Sequence, residues 1–161
     1  MVYYPGCAED VILRYQDIVY RIAFTSCRNI ADAQDITQEV FVRYLNKTPA
    51  IVSEEHLKAW LIRVTVNVSK NLLRSAWHKT TVPFDEQETP YIEEPSGTDT
   101  YHAVLSLPEK YRSVVMLYYF EDYSVREVAH ILRRTETSIQ TQLQRARVML
   151  KSKLEGEWEN D

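Results

Sequence analysis

Ser124–Leu150, SVREVAHILRRTETSIQTQLQRARVML, reads as two helices with a tight break between them. Ser124 with Glu127 three residues on is a capping box and fixes a helix start. Val125, Val128, Ala129 and Leu132 follow at helical spacing and give that short helix an apolar face. Thr135 is suited to cap a second helix, whose inward residues are Ile139, Leu143, Ala146 and Leu150. Glu136, Thr137, Gln140, Thr141, Gln144, Arg145 and Arg147 are then left outward. Small Ala129 permits a close helix approach, and Ile139 fills the corner. The pattern is that of a helix-turn-helix, whose second helix is offered to a DNA major groove.

Amphipathic helix pairs are common, so charge has to separate a DNA reader from a packing unit. From Arg133 to Lys153 the chain carries Arg133, Arg134, Arg145, Arg147, Lys151 and Lys153 against Glu136 alone. Amides and hydroxyls toward the front of the helix suit base edges, and the arginines behind suit phosphates. A solvated face would more often mix its signs.

The net charge of −4 conflicts with nucleic-acid binding only until it is located. Residues 1–80 carry ten basic and eight acidic groups, residues 81–100 six acidic and none basic, and residues 101–161 nine of each. The acidity sits in a stretch with three prolines and no apolar period, which reads as a flexible linker. Two basic strips survive beside it. With 161 residues, 45% hydrophobic and only three glycines, the chain is expected to be all-α and to form two small helical domains. No apolar run approaches the roughly 20 residues of a membrane span, and the first residues lack the features of a signal peptide. A cytoplasmic protein without stable membrane insertion is the expectation. Cys7 and Cys27 are too few for a metal site or disulfide framework, reading instead as a surface thiol and a buried small residue. His56, His78, His102 and His130 are scattered, with no metal-ligand spacing and no glycine-rich phosphate loop. No catalytic residue, metal or cofactor is expected.

Taken in order, the spacing predicts a core helix over Asp10–Arg28 and a second over Asp32–Asn46, with Ala33, Ile36, Val40, Phe41 and Tyr44 inward. The outer row of the second helix is Asp32, Asp35, Gln38, Glu39 and Arg43, which spacing alone reads as a solvated face. After a loop containing Pro49, Ser53 caps a helix over Glu54–Trp77, with Glu54 and Glu55 suited to its dipole. Ile51 and Val52 before it read either as a hydrophobic staple or as ligand contacts. The expected buried stripe is Leu57, Trp60, Leu61, Val64, Val68 and Leu72, which places Trp60 in the core. Arg63, Asn67, Lys70, Asn71 and Arg74 take the opposite face. Lys58, Arg63, Lys70, Arg74 and Lys79 are five cations with no acid between them, the mark of a strand-tracking helix. In the second unit a short helix near Tyr101–Ser106 precedes one that Pro108 opens and that runs to Tyr119 or Phe120. The end after Leu154 is expected to fray.

The segments DAQDITQEVFVRYL (32–45), HLKAWLIRVTVNVSKNLLR (56–74) and LSLPEKYRSVVMLYYFEDYSVREVAHIL with TSIQTQLQRARVML (105–132, 137–150) together resemble bacterial RNA polymerase sigma factors. The small two-domain layout is similar to the extracytoplasmic-function group of the sigma-70 family. The resemblance implies that residues 6–80 bind core polymerase and the −10 element and that residues 101–155 read the −35 element. Asp32, Asp35, Gln38 and Glu39 match the surface that docks on the β′ clamp helices, with the β subunit as a further contact. This turns the reading of that row from solvated face to docking surface. Residues 46–53 match the segment that captures an unstacked base, and Arg63, Asn67, Lys70, Asn71 and Arg74 match the helix beside it. Arg134, Thr135, Thr137, Gln140, Thr141, Gln144, Arg145 and Arg147 are the expected −35 contacts. The family implies a monomer off the polymerase and an anti-sigma partner. The competing reading is a stand-alone helix-turn-helix regulator, which would usually dimerise.

The chain departs from the family pattern in two places. Arg133 stands where such turns usually have glycine or another residue tolerant of a left-handed backbone, so either the turn is longer or the strain is accepted. Gln140 and Gln144 stand where basic or other side chains are frequent; glutamine can read adenine.

Overall fold

The computed structural model describes residues 3–46, 50–75 and 98–159. Lys79, Trp77 and all but the last residues of the expected linker lie outside them. The chain divides into two compact units, Met1–Glu88 and Thr89–Asp161, and every described regular element is helical.

In the first unit α1 (Ala8–Cys27), α2 (Ile30–Asn46) and α3 (Glu54–Arg74) each pack on the other two. Gly6 has φ +95°, where side chains are rarely accommodated, and a Cβ there would meet the Asp10 side chain at 3.2 Å. α1 buries Val11, Tyr15, Ile18, Val19, Ile22 and Ala23 as its period requires, and then its whole last turn, Phe24–Cys27. It stops at Arg28, which is left-handed (φ 58°) and donates its backbone N–H to Phe24 O at 2.7 Å. α2 starts two residues earlier than expected because Asn29, and not Asp32, is its cap: Asn29 Oδ1 accepts from Asp32 N–H at 2.9 Å.

α3 is capped as expected, with Ser53 Oγ accepting from His56 N–H at 3.1 Å. Its core face is not the expected one. Leu57, Leu61, Ile62, Thr65, Val66, Val68 and Ser69 are buried, whereas Trp60, Val64 and Leu72 are only half-buried. At about 100° per residue the buried arc covers roughly half the circumference, wider than the stripe of a helix packed on one side. The cause is contact with both α1 and α2. Two hydroxyls enter this face without remaining unsatisfied: Thr65 donates to Leu61 O and Ser69 to Thr65 O, both at 2.7 Å. Thr25 and Ser26 do the same in α1, on Arg21 O and Ile22 O.

Glu54, at the start of α3, ties the unit's N-terminal segment down. Its carboxylate accepts from the Tyr15 and Tyr3 hydroxyls and from Arg14 Nη1 (2.7 Å), while Arg14 Nη2 reaches Pro5 O at 3.3 Å. These donors, Tyr15 first, hold the Glu54 carboxyl below the usual carboxylate range. Burial, with the bond to Glu54 second, pushes the Tyr15 hydroxyl up.

In the second unit α4 (Thr98–Leu105), α5 (Glu109–Val115) and α6 (Val125–Leu132) all pack on α7 (Glu136–Glu159). Pro108 stands just before α5 as its cap residue. The helix expected to run to Tyr119 or Phe120 is α-helical only to Val115; Met116–Phe120 forms a π-helical turn, closed by Glu121 N–H on Met116 O at 3.1 Å. The capping box of α6 is present in both directions: Ser124 Oγ accepts from Glu127 N–H (3.1 Å) and Glu127 Oε2 from Ser124 N–H (2.8 Å). Thr135 Oγ1 accepts from Ser138 N–H at 3.1 Å and caps α7. Ile139, Leu143 and Ala146 are buried and Leu150 half-buried, as the spacing required. α7 continues past Leu154 to Glu159, where the sequence reading placed a frayed end.

Candidate nucleic-acid interface

The turn between α6 and α7 resolves the question at Arg133. Its backbone is left-handed (φ 55°, ψ 48°), and Arg134 N–H reaches back to Ala129 O at 3.0 Å while Arg133 N–H reaches His130 O at 3.4 Å. This is the glycine-type helix stop with an arginine in the strained place; the turn is not lengthened. It aims α7 so that Glu136, Thr137, Gln140, Thr141, Gln144, Arg145 and Arg147 are all exposed.

The cations of this unit are less alike than their count suggests. Arg134 is half-buried and donates from Nη1 to Gln142 Oε1 at 3.0 Å, and burial lowers its basicity. It supports the turn more than it fronts the helix. Lys153 turns back to Ser106, on its Oγ (2.8 Å) and its carbonyl (3.3 Å), and Lys151 lies 3.9 Å from Glu155. Arg147 Nε donates to the Tyr119 hydroxyl at 2.5 Å, with its guanidinium 5.9 and 5.7 Å from the Tyr118 and Tyr119 ring centroids. That hydrogen bond raises the Arg147 basicity further. Tyr118 and Tyr119 stand edge to face, centroids 4.9 Å apart, on the π-helical turn. Burial pushes the Tyr111 hydroxyl up, but hydrogen bonds from Arg145 and Lys110 outweigh it and leave it lowered. The sequence reading gave Tyr118 and Tyr119 no part in this face; nothing in their spacing points to an arginine 28 positions after Tyr119.

In the first unit, Arg63, Asn67, Lys70, Asn71 and Arg74 fall within a sector of about 100° on α3. Asn67, Asn71 and Arg74 are exposed, and Arg63 and Lys70 half-buried. Lys58 stands about 140° from Arg63 and does not share the sector. Trp60 does share it, between Asn67 and Asn71, half-buried with its ring edge-on to Tyr44 at 6.0 Å. Its placement in the core stripe is thereby corrected. In front of this helix Val52 is 73% exposed, and its N–H donates to His56 Nδ1 at 3.2 Å, which folds the loop end onto α3.

On α2, Asp35, Gln38 and Glu39 are exposed, with Glu39 Oε1 bound by Arg43 Nε at 2.9 Å. Asp32 is half-buried in the first turn and lies about 20° from Glu39 around the helix axis, on the same face. Of the two thiols, Cys7 is exposed and Cys27 buried, as the sequence reading had them. No described helix is long and apolar enough to cross a membrane.

Two family models match the chain, one to each unit: sigma-70 region 2 over residues 11–79 and sigma-70 region 4 over residues 99–150. The chain is 27% identical over 143 residues to the RNA polymerase sigma factor SigV of Bacillus subtilis, covering 86% of this chain and 85% of that one. It is 26% identical over 164 residues to the ECF RNA polymerase sigma factor SigW of the same organism, covering 90% and 87%. Its fold is similar to that of the sigma factor RpoE from Bartonella quintana, solved in complex with the anti-sigma factor NepR. There the TM-score is 0.77 at 18% identity, over 91% of this chain and 96% of that one. It is also similar to CnrH, solved in complex with the cytosolic domain of CnrY, with a TM-score of 0.67 at 18% identity over 94% and 91%. A stand-alone regulator would account for the second unit only, whereas both units match successive regions of one family. The chain belongs to the sigma-70 family of bacterial RNA polymerase sigma factors, in its extracytoplasmic-function group, and it serves promoter-specific transcription initiation.

Proposed function

We propose that residues 6–80 hold core RNA polymerase and the −10 element, that residues 101–155 read the −35 element, and that the acidic stretch 81–100 joins them. The observation that carries this reading is the narrow sector of α3 that gathers Arg63, Asn67, Lys70, Asn71 and Arg74 on about three turns of one rigid helix. Cations that track a backbone, with amides between them, suit a separated strand, and the loop end at Ile51 and Val52 stands at the start of the same helix. Helix α7 supplies the complementary duplex reader. Thr137, Gln140, Thr141 and Gln144 are its base-edge residues, Arg145 and Arg147 its phosphate contacts, and Arg134 and Thr135 hold its entry.

Asp35, Gln38 and Glu39, with Asp32 at their edge, are the docking row for the β′ clamp helices, and the β subunit is a second contact. The protein works in the cytoplasm as a monomer when off the polymerase, and an anti-sigma factor restrains it. The solved structures of RpoE and CnrH, each with a partner, support that last element. Reversing Asp35 and Glu39 to lysine is expected to weaken binding to core polymerase at least tenfold while leaving the helical content unchanged. Equal affinity of the double variant would remove the docking assignment.

A further inference from the structure

Arg145 and Arg147 are two positions apart on α7, hence about 200° apart around its axis. Buried Ala146 lies between them, so each leaves the helix about 100° from the core direction, one on either flank. Thr137, Thr141 and Gln144 occupy the outward face between those flanks. A helix seated in a major groove turns such a face to the bases and its flanks to the two phosphate backbones.

One of the two flank arginines is met by tyrosines from another element. Arg147 donates its Nε to the Tyr119 hydroxyl and lies over the Tyr118 and Tyr119 rings. Arg145 is exposed on the other flank. A neutral phenol differs from a carboxylate in what it does to an arginine. Glu39 cancels the charge of Arg43 on α2, whereas a tyrosine fixes the guanidinium and leaves its charge intact. Four of its five N–H donors remain when Nε alone is used. Ordering the long side chain before binding removes part of the cost of ordering it on DNA.

We propose that Tyr119 is a positioning residue that holds Arg147 on one flank of α7, ready for a phosphate at the edge of the −35 major groove. This rests on the reading of α7 as the −35 helix. The π-helical turn belongs to the device, since it carries Tyr118 and Tyr119 together toward α7.

The test uses the full chain loaded on core polymerase and a promoter fragment that it transcribes, with affinity measured across a salt series. Tyr119→Phe keeps the ring and is expected to weaken binding about three- to tenfold, with an unchanged slope of affinity against salt. Arg147→Ala is expected to weaken binding and lower that slope by about one charge. In the Arg147→Ala background, Tyr119→Phe is expected to have no further effect. Tyr119→Phe acting equally in both backgrounds, or having no effect while Arg147→Ala does, overturns the positioning role and leaves the −35 reading standing. Arginine variants that leave affinity and slope unchanged overturn the reading beneath it.

Discussion

Helices α3 and α7 both carry a row of cations on a long helix, yet they hold it in different ways. α3 is packed against α1 and α2 at once, so about half its circumference is core and even Thr65 and Ser69 are buried. Its polar row is what remains, a narrow sector that Trp60 also enters. α7 is covered on one side, by α4, α5 and α6, with Ile139, Leu143 and Ala146 as its buried residues. Most of its surface is open, and its cations are kept in place by partners: Tyr119, Gln142 and Ser106. A helix packed on two sides positions its polar row by exclusion. A helix packed on one side needs braces.

The largest effect that could break this contrast lies in α3. Ile62 is fully buried there, so Ile62→Ala is expected to lower stability by about 2–4 kcal/mol. Trp60→Ala removes a larger but half-exposed ring and is expected to cost less, about 1–2 kcal/mol. Urea unfolding of the full chain decides between them, and the reverse order would restore Trp60 to the core. In the second unit the α6 capping box carries the turn that aims α7. Ser124→Ala is expected to cost about 1 kcal/mol in the same assay; no loss would mean that packing on α7 fixes α6 without its cap.

Arg133→Gly relieves the left-handed strain and is expected to raise stability by about 0.5–1 kcal/mol, read as a higher unfolding midpoint. A lower midpoint would mean that the arginine side chain contributes more than its backbone costs. The smallest effect belongs to Glu54. Its folded pKa is depressed by the donors from Tyr15, Tyr3 and Arg14, so the stabilisation is present above the ordinary carboxylate pKa of about 4.3. It is lost as pH falls through the lower folded value. The Arg14 and Glu54 side chains are 41% and 44% exposed, which limits the contribution to a few tenths of a kcal/mol. Glu54→Gln is expected to flatten the stability profile below pH 5 by that amount, and an unaltered acid limb would contradict the assignment.

The same contrast explains what the sequence could tell. Helix α7 was legible because one-sided packing produces a simple period, and because Ser124, Glu127 and Thr135 are local signals that act within three residues. Arg133 was legible as a question, and only the backbone answered it. The α3 face was misjudged because large apolar residues mark a stripe, whereas a second neighbouring helix widens the buried arc to take in Ile62 and hydroxyls that bond their own backbone. Asn29 was overlooked as the cap of the second helix, which was therefore expected to start at Asp32, the residue that donates to it. The π-helical turn left no mark in MLYYF, since a one-residue slip in hydrogen bonding is set by tertiary contacts. The tyrosine brace was hidden for the same reason: its arginine lies far along the chain.

Run-off transcription with purified core polymerase on a pool of promoter fragments tests the central claim most directly. The expected result is transcripts that start at defined sites only when this protein is present. The start sites should share one element near −10 and one near −35, and Arg63→Ala with Asn67→Ala should abolish initiation without releasing the polymerase. Absence of stimulation, with duplex binding by the protein intact, would contradict the sigma role.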